Sequence, residues 1–155
     1  DLEKFDNEFI LNKYFSQLNK LIQSEQFDAV GHPDTLLRSV HDDMFLKNYE
    51  YTLNLMEEHN VAYELNTSGL RKSKFNHMTK KEFFDGWSYP SLDAIRLSLN
   101  KNIDFVSGSD AHTPQDVGTG IREVLLKSKE VGLDKICFFE NRKKVFFDIF
   151  DCLGG

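Results

Sequence analysis

Four short apolar runs, at 27–30, 61–66, 103–106 and 135–139, each give way to a stretch with helical spacing, and this alternation constrains the chain more than any other feature. Strand–helix alternation places strands parallel in one sheet with helical crossovers, because a parallel neighbour can be reached only through a long return connection. The helical stretches are 43–59, 89–100 with Pro90 at or near its first turn, a run of about 17 residues from Thr113–Pro114, and 141–152, with a further helix at 5–24 before the first strand. In the 5–24 segment, Phe9, Ile10, Tyr14, Leu18, Leu21 and Ile22 keep one face apolar. The predicted order is α-βα-βα-βα-βα. The strand ends fall near residues 32, 66, 110 and 140, with gaps of 34, 44 and 30 residues. A βα unit of a barrel takes roughly 30 residues, so four units predict about half of a barrel. The segment 67–81 reads as a polar, basic loop, and Asn141 as the cap of the last helix.

Composition narrows the chemistry. At 155 residues the chain can bury a real core, and its 14 Phe predict a core or an interface built on large flat side chains. The net charge of −6 disfavours a nucleic-acid backbone as partner, which needs a basic face, but permits a small phosphorylated substrate. Cys137 and Cys152 match no metal or redox spacing and read as reduced thiols of a cytoplasmic protein. No apolar run is long enough for a membrane span. The sequence opens at Asp1 and runs almost at once into a helical pattern, which predicts that an N-terminal part of a longer protein precedes it.

Sites in parallel α/β folds lie at the C-terminal ends of strands. Those ends carry His32 and Asp34, then Asn66, Thr67 and Ser68, then Asp110 and His112, and last Glu140 and Asn141. In Gly108-Ser109-Asp110-Ala111-His112, an extended Asp-x-His sets a carboxylate and an imidazole on one face, within reach of one divalent ion. Read alone, the same string is also that of a capping Asp beside a surface His. His32 follows an apolar strand on a Gly-x-Pro turn, which also suits a turn histidine. The stretch Glu64 to Lys72 sets hydroxyls, a Gly, Arg71 and Lys72 after a strand, which suits a phosphate and equally a polar loop with surface cations. His41, His59 and His77 lie in polar stretches and read as solvated. The first three segments fall on one predicted rim, and that coincidence is the case for a metal-plus-phosphate site.

Three strings, DAVGHPD, ELNTSGLRK followed by YPS, and VSGSDAHTPQDVG, resemble the later motifs of the PHP (polymerase and histidinol phosphatase) family, in its histidinol-phosphatase branch. The likeness covers residues 27–120. It implies the C-terminal part of a distorted TIM-like (βα)7 barrel, with two or three divalent ions (Zn, Mn or Fe) at the strand ends. It implies His32, Asp110 and His112 as metal ligands, Arg71 with Thr67 or Ser68 on the substrate phosphate, and Asp34 as a supporting group or general acid. The family's opening His-x-His motif and the ligands after it have no counterpart here, so residues 1–155 read as the C-terminal segment of one barrel domain, inactive by itself. The complete protein is then expected to hydrolyse a small phosphate monoester such as histidinol phosphate, with the missing half or a second copy as partner. Two rivals are a phosphoesterase acting on nucleotides or nucleic-acid ends and a non-catalytic α/β domain binding a phosphorylated ligand or a protein.

Overall fold

The computed structural model describes residues 7–40, 42–76, 78–84 and 86–154. Phe5 of the first predicted helix, His41 and His77 lie outside the described residues. The elements are α1 (Asn7–Gln23), β1 (Ala29–Val30), α2 (Asp42–Glu58), β2 (Ala62–Asn66), β3 (Lys74–Asn76), β4 (Lys81–Phe83), α3 (Leu92–Leu99), β5 (Phe105–Gly108), α4 (Ile121–Glu130), β6 (Lys135–Glu140), β7 (Lys143–Asp148) and α5 (Ile149–Cys152). Short 3₁₀ turns occupy Thr35–Arg38, Thr67–Arg71 and Pro114–Asp116.

The centre is a parallel three-stranded sheet in the order β1-β2-β5. Val30 pairs with Tyr63, and β2 runs alongside β5 from Tyr63–Phe105 to Asn66–Gly108. The central strand β2 is buried at Ala62, Tyr63, Leu65 and Asn66, as expected of a parallel strand covered on both faces. The fold is therefore mixed α/β with a parallel sheet, as the alternation predicts; closure into a barrel is not seen in these three strands.

The core is aromatic. Phe15 of α1 meets Phe45 and Tyr49 of α2 at ring-centroid distances of 5.3 and 6.0 Å. Tyr49 reaches Tyr63 of β2 at 6.5 Å, and Tyr63 reaches Phe105 of β5 at 5.3 Å. These tilted and edge contacts favour the ring quadrupoles and clamp the α1–α2 pair onto the sheet. Among the described residues eight other Phe remain exposed, including Phe138 and Phe147, which stack at 5.2 Å. Among the described residues no helix is long and apolar enough to cross a membrane.

Three elements differ from expectation. The predicted loop 67–81 contains a 3₁₀ turn and one strand of an antiparallel hairpin, β3–β4. The helix expected from Thr113–Pro114 is one 3₁₀ turn followed by α4, because Gly118 and Gly120 take φ of +74° and +80° and break helical geometry between them. The last helix is absent over 141–148, where β7 pairs antiparallel with β6 across a turn with positive φ at Asn141 and Arg142. Two central residues with φ > 0 form the kind of turn that hairpins favour. Asn-Arg hides this signal because the second position lacks its usual Gly.

The β6–β7 hairpin also moves one predicted strand end. Arg142 reaches Asp28 Oδ1 at 3.0 Å and the Glu25 carbonyl at 3.2 Å. Lys144 donates to Asp104 Oδ2 at 2.8 Å. Asp28 precedes β1 and Asp104 precedes β5, so the turn holding Glu140 and Asn141 sits at the opposite end of the sheet from His32. The expectation that Glu140 and Asn141 share the rim with the other three ends is corrected accordingly.

Candidate functional site

The rim is organised by the 3₁₀ turn Thr67–Arg71. Asn66 caps it, its Oδ1 accepting the Ser68 amide at 2.9 Å. Gly69 lies so close to the segment before α3 that an added Cβ would fall 1.8 Å from the Tyr89 carbonyl oxygen. The Gly69 carbonyl accepts both the amide and the hydroxyl of Ser88, at 3.0 and 2.6 Å. Thr67 donates through Oγ1 to the Thr119 carbonyl. Arg71 donates to the Ser109 carbonyl at 2.8 Å and lies 3.5 Å from Asp116 Oδ1. The Asp116 carboxyl is held below the usual carboxylate range, first by the Thr113 hydroxyl and then by the Arg71 charge. One short turn thus ties together β2, the segment before α3, and the loop after β5.

These bonds decide what the expected phosphate contacts are doing here. Thr67 and Ser68 are buried, and their hydroxyls point to Thr119 and to Asp110, Asn66 and Tyr89. Arg71, half-buried, directs its guanidinium at the loop after β5. In this conformation all three act on the protein itself.

Asp110 and His112 come together at the end of β5. Asp110 Oδ2 accepts from Ser68 Oγ at 3.0 Å, and its Oδ1 is 4.0 Å from His112 Nδ1. That nitrogen is also 2.9 Å from the Asp110 carbonyl. His112 is exposed. The backbone of Asp110 has φ of +47°, uncommon for a residue other than Gly and a conformation that neighbours must hold in place.

Glu64, which sequence reasoning passed over, lies between the strand ends. Its Oε2 accepts the His32 amide at 2.9 Å and the Asn66 side-chain amide at 2.9 Å. A Cβ at Gly108 would fall 2.1 Å from Oε1, and one at Gly31 would fall 3.3 Å from Oε2. The two glycines therefore make room for this carboxylate across the end of the sheet. The available signal was a charged residue inside an otherwise apolar central strand, in phase with Asn66. His32, exposed and with φ of +34°, joins the site through its backbone amide.

Asp34 is fully buried beneath this rim. Its Oδ2 accepts the Ser91 amide at 2.7 Å, and the buried hydroxyl of Tyr63 faces the carboxyl without a well-formed hydrogen bond among the described residues. Burial pushes its carboxyl up to about 6; the facing Tyr63 hydroxyl and the Ser91 amide pull it back only in part. Tyr14, also raised by burial, donates to the Pro33 carbonyl at 2.6 Å and closes the turn from the other side. So enclosed, Asp34 braces the His32 turn against α3.

For a metal ion the donor set is partial. Asp110 and His112 are neighbours, and because His112 Nδ1 faces the Asp110 carbonyl, which only accepts, that nitrogen carries the proton in this conformation and Nε2 is the one left to ligate an ion. Among the described residues, no group of three or more His, Cys, Asp or Glu is gathered so as to hold an ion.

Comparison with known proteins points to one family. A family model described as PHP-associated matches residues 92–136, from α3 through β5 to β6. A relative named "Probable histidinol-phosphatase" from Deinococcus radiodurans is 27% identical over 143 residues, covering 92% of this chain and 50% of the relative. Two relatives from Vibrio vulnificus named as probable phosphatases are 30% and 29% identical over 139 residues, covering 88% of this chain and 48% of each relative. The chain spans about half the length of the curated relatives it matches.

Proposed function

Because the chain belongs to the PHP family, in its C-terminal part, we propose that it supplies one side of the active site of a metal-dependent phosphatase acting on a phosphate monoester. The observation that carries this reading is the pairing of Asp110 with His112 at the end of β5, beside the Glu64 carboxylate and the His32 turn. The names of the relatives support phosphatase chemistry, and one of them supports histidinol phosphate as the substrate. The complete protein would then form a TIM-like barrel.

In this proposal Asp110, His112 and His32 hold divalent ions together with donors from residues outside 1–155. Such ions lower the pKa of a bound water and offset negative charge on phosphoryl oxygens. Asp110 presents one carboxylate oxygen outward while Ser68 holds the other. Arg71 fixes the loop that carries both ligands and would leave its charge near a phosphate bound at that end of the sheet. Asp34 keeps the His32 turn in place from below. Because only part of the donor set is present, residues 1–155 by themselves are expected to be inactive.

The test is a substrate panel on the full-length protein: L-histidinol phosphate, mononucleotides and a 5′-phosphorylated oligonucleotide, with and without chelator. Histidinol phosphate turned over fastest, with loss on chelation and recovery on adding Zn, Mn or Fe, is the expected result. Faster turnover of nucleotides would move the substrate to that class. Activity indifferent to chelation would overturn the metal dependence, and phosphate binding without turnover would favour a non-catalytic ligand-binding domain.

A further inference from the structure

We propose that Tyr89 and Ser68 are positioning residues that fix the Asp110 carboxylate at the mouth of the sheet, an inference that rests on Asp110 being a ligand in the reading above. Ser68 Oγ has three polar neighbours: Asn66 Oδ1 at 2.7 Å, the Tyr89 hydroxyl at 2.8 Å and Asp110 Oδ2 at 3.0 Å. A serine hydroxyl has one proton to donate. The orientation of the Asn66 amide is set by two contacts of opposite kind. Its oxygen accepts the Ser68 amide, and its nitrogen donates to Glu64 Oε2. Asn66 Oδ1 and an ionised Asp110 Oδ2 can therefore only accept, and the proton between Ser68 and Tyr89 must come from Tyr89.

The consequence is a directed chain. Tyr89 donates to Ser68, which polarises the serine hydroxyl as a donor. Asn66 Oδ1, at 2.7 Å, already accepts one backbone amide, and the Asp110 carboxylate competes with it for the Ser68 proton, where a charge-assisted bond is the stronger one. Tyr89, Ser68 and Asn66 are 2%, 1% and 1% exposed, so water does not compete for the bonds among these three. The left-handed backbone at Asp110 needs such a hold. Separately, the Ser68 amide holds Asn66, whose side chain donates to Glu64, and Glu64 accepts the His32 amide, so the same residue stands between the strand ends.

The experiment uses the full-length protein with Tyr89→Phe, Ser68→Ala and the double variant. Amide exchange is followed by mass spectrometry without metal, and Mn²⁺ affinity by titration. Both single variants should exchange faster over residues 109–112 while exchange in α2 stays unchanged, which also monitors folding. Ser68→Ala should weaken Mn²⁺ binding about 10- to 100-fold, the range for lost partners of a ligand. Tyr89→Phe should weaken it less, and should add nothing in the Ser68→Ala background. Unchanged exchange over 109–112 in Ser68→Ala overturns the proposal. A Tyr89→Phe effect that adds fully in the double variant overturns the route through Ser68. If the unsubstituted protein binds no Mn²⁺, the metal reading falls, and the exchange comparison still decides whether these residues hold Asp110.

Discussion

Asp34 shows at the scale of one residue how burial becomes pH dependence. Its carboxyl is raised from 3.8 to about 6, so the folded protein retains a proton that the unfolded chain has already lost. The stability associated with that proton is complete below about pH 4 and is lost as pH rises through about 6, on the order of 2–3 kcal/mol for a shift of this size. Asparagine keeps an acceptor for the Ser91 amide and carries no charge. Asp34→Asn should therefore be more stable than the parent at pH 8 and nearly equal to it at pH 4, as read by urea unfolding. A less stable variant at pH 8 would contradict the burial account. At Gly108 the argument is steric: an added methyl would land on Glu64 Oε1, so Gly108→Ala should displace that carboxylate and weaken its bond to the His32 amide. Faster exchange of that amide is the measurement; unchanged exchange would show that Glu64 is held by other means.

At the scale of elements, the turn Thr67–Arg71 determines how the rim is assembled. Its Gly69 faces the Tyr89 backbone, which cannot swing aside as a flexible side chain can. Gly69→Ala should destabilise the fold by about 1–3 kcal/mol, the range for overpacking, visible as a lower thermal midpoint; an unchanged midpoint would show that the two segments part without loss. This turn also marks where sequence reading stopped. Asn66, Thr67, Ser68 and Arg71 were legible as polar residues at a strand end, but their hydrogen bonds run to Thr119, Asp110, Tyr89 and Ser109, and such distant partners leave no mark on local spacing. The central strands and α1 to α3 were legible because their apolar periodicity is strong. The two hairpins were not, because β3 and β4 are short and polar, and Asn141-Arg142 lacks the glycine that announces a tight turn.

At the scale of the whole molecule, the aromatic core holds two helices against a parallel sheet whose C-terminal ends carry the candidate ligands. Glu140 was misplaced because its hairpin returns to the N-terminal end of the sheet, a matter of topology that the spacing of strands does not encode. Asp110 and His112 are adjacent, but no third donor of the described residues completes a group that could hold an ion. On the proposed function, residues 1–155 expressed alone should therefore hydrolyse a phosphate monoester far more slowly than the full-length protein, since a two-metal mechanism would need both the attacking and the leaving oxygen clamped. Comparable rates in a coupled phosphate-release assay would show that the missing donors are unnecessary. Whether His112 helps to hold a metal is read from elemental analysis of the purified full-length protein and its His112→Ala variant. The variant should retain clearly less metal per chain while its circular dichroism is unchanged; equal metal content in the two proteins would refute His112 as a ligand.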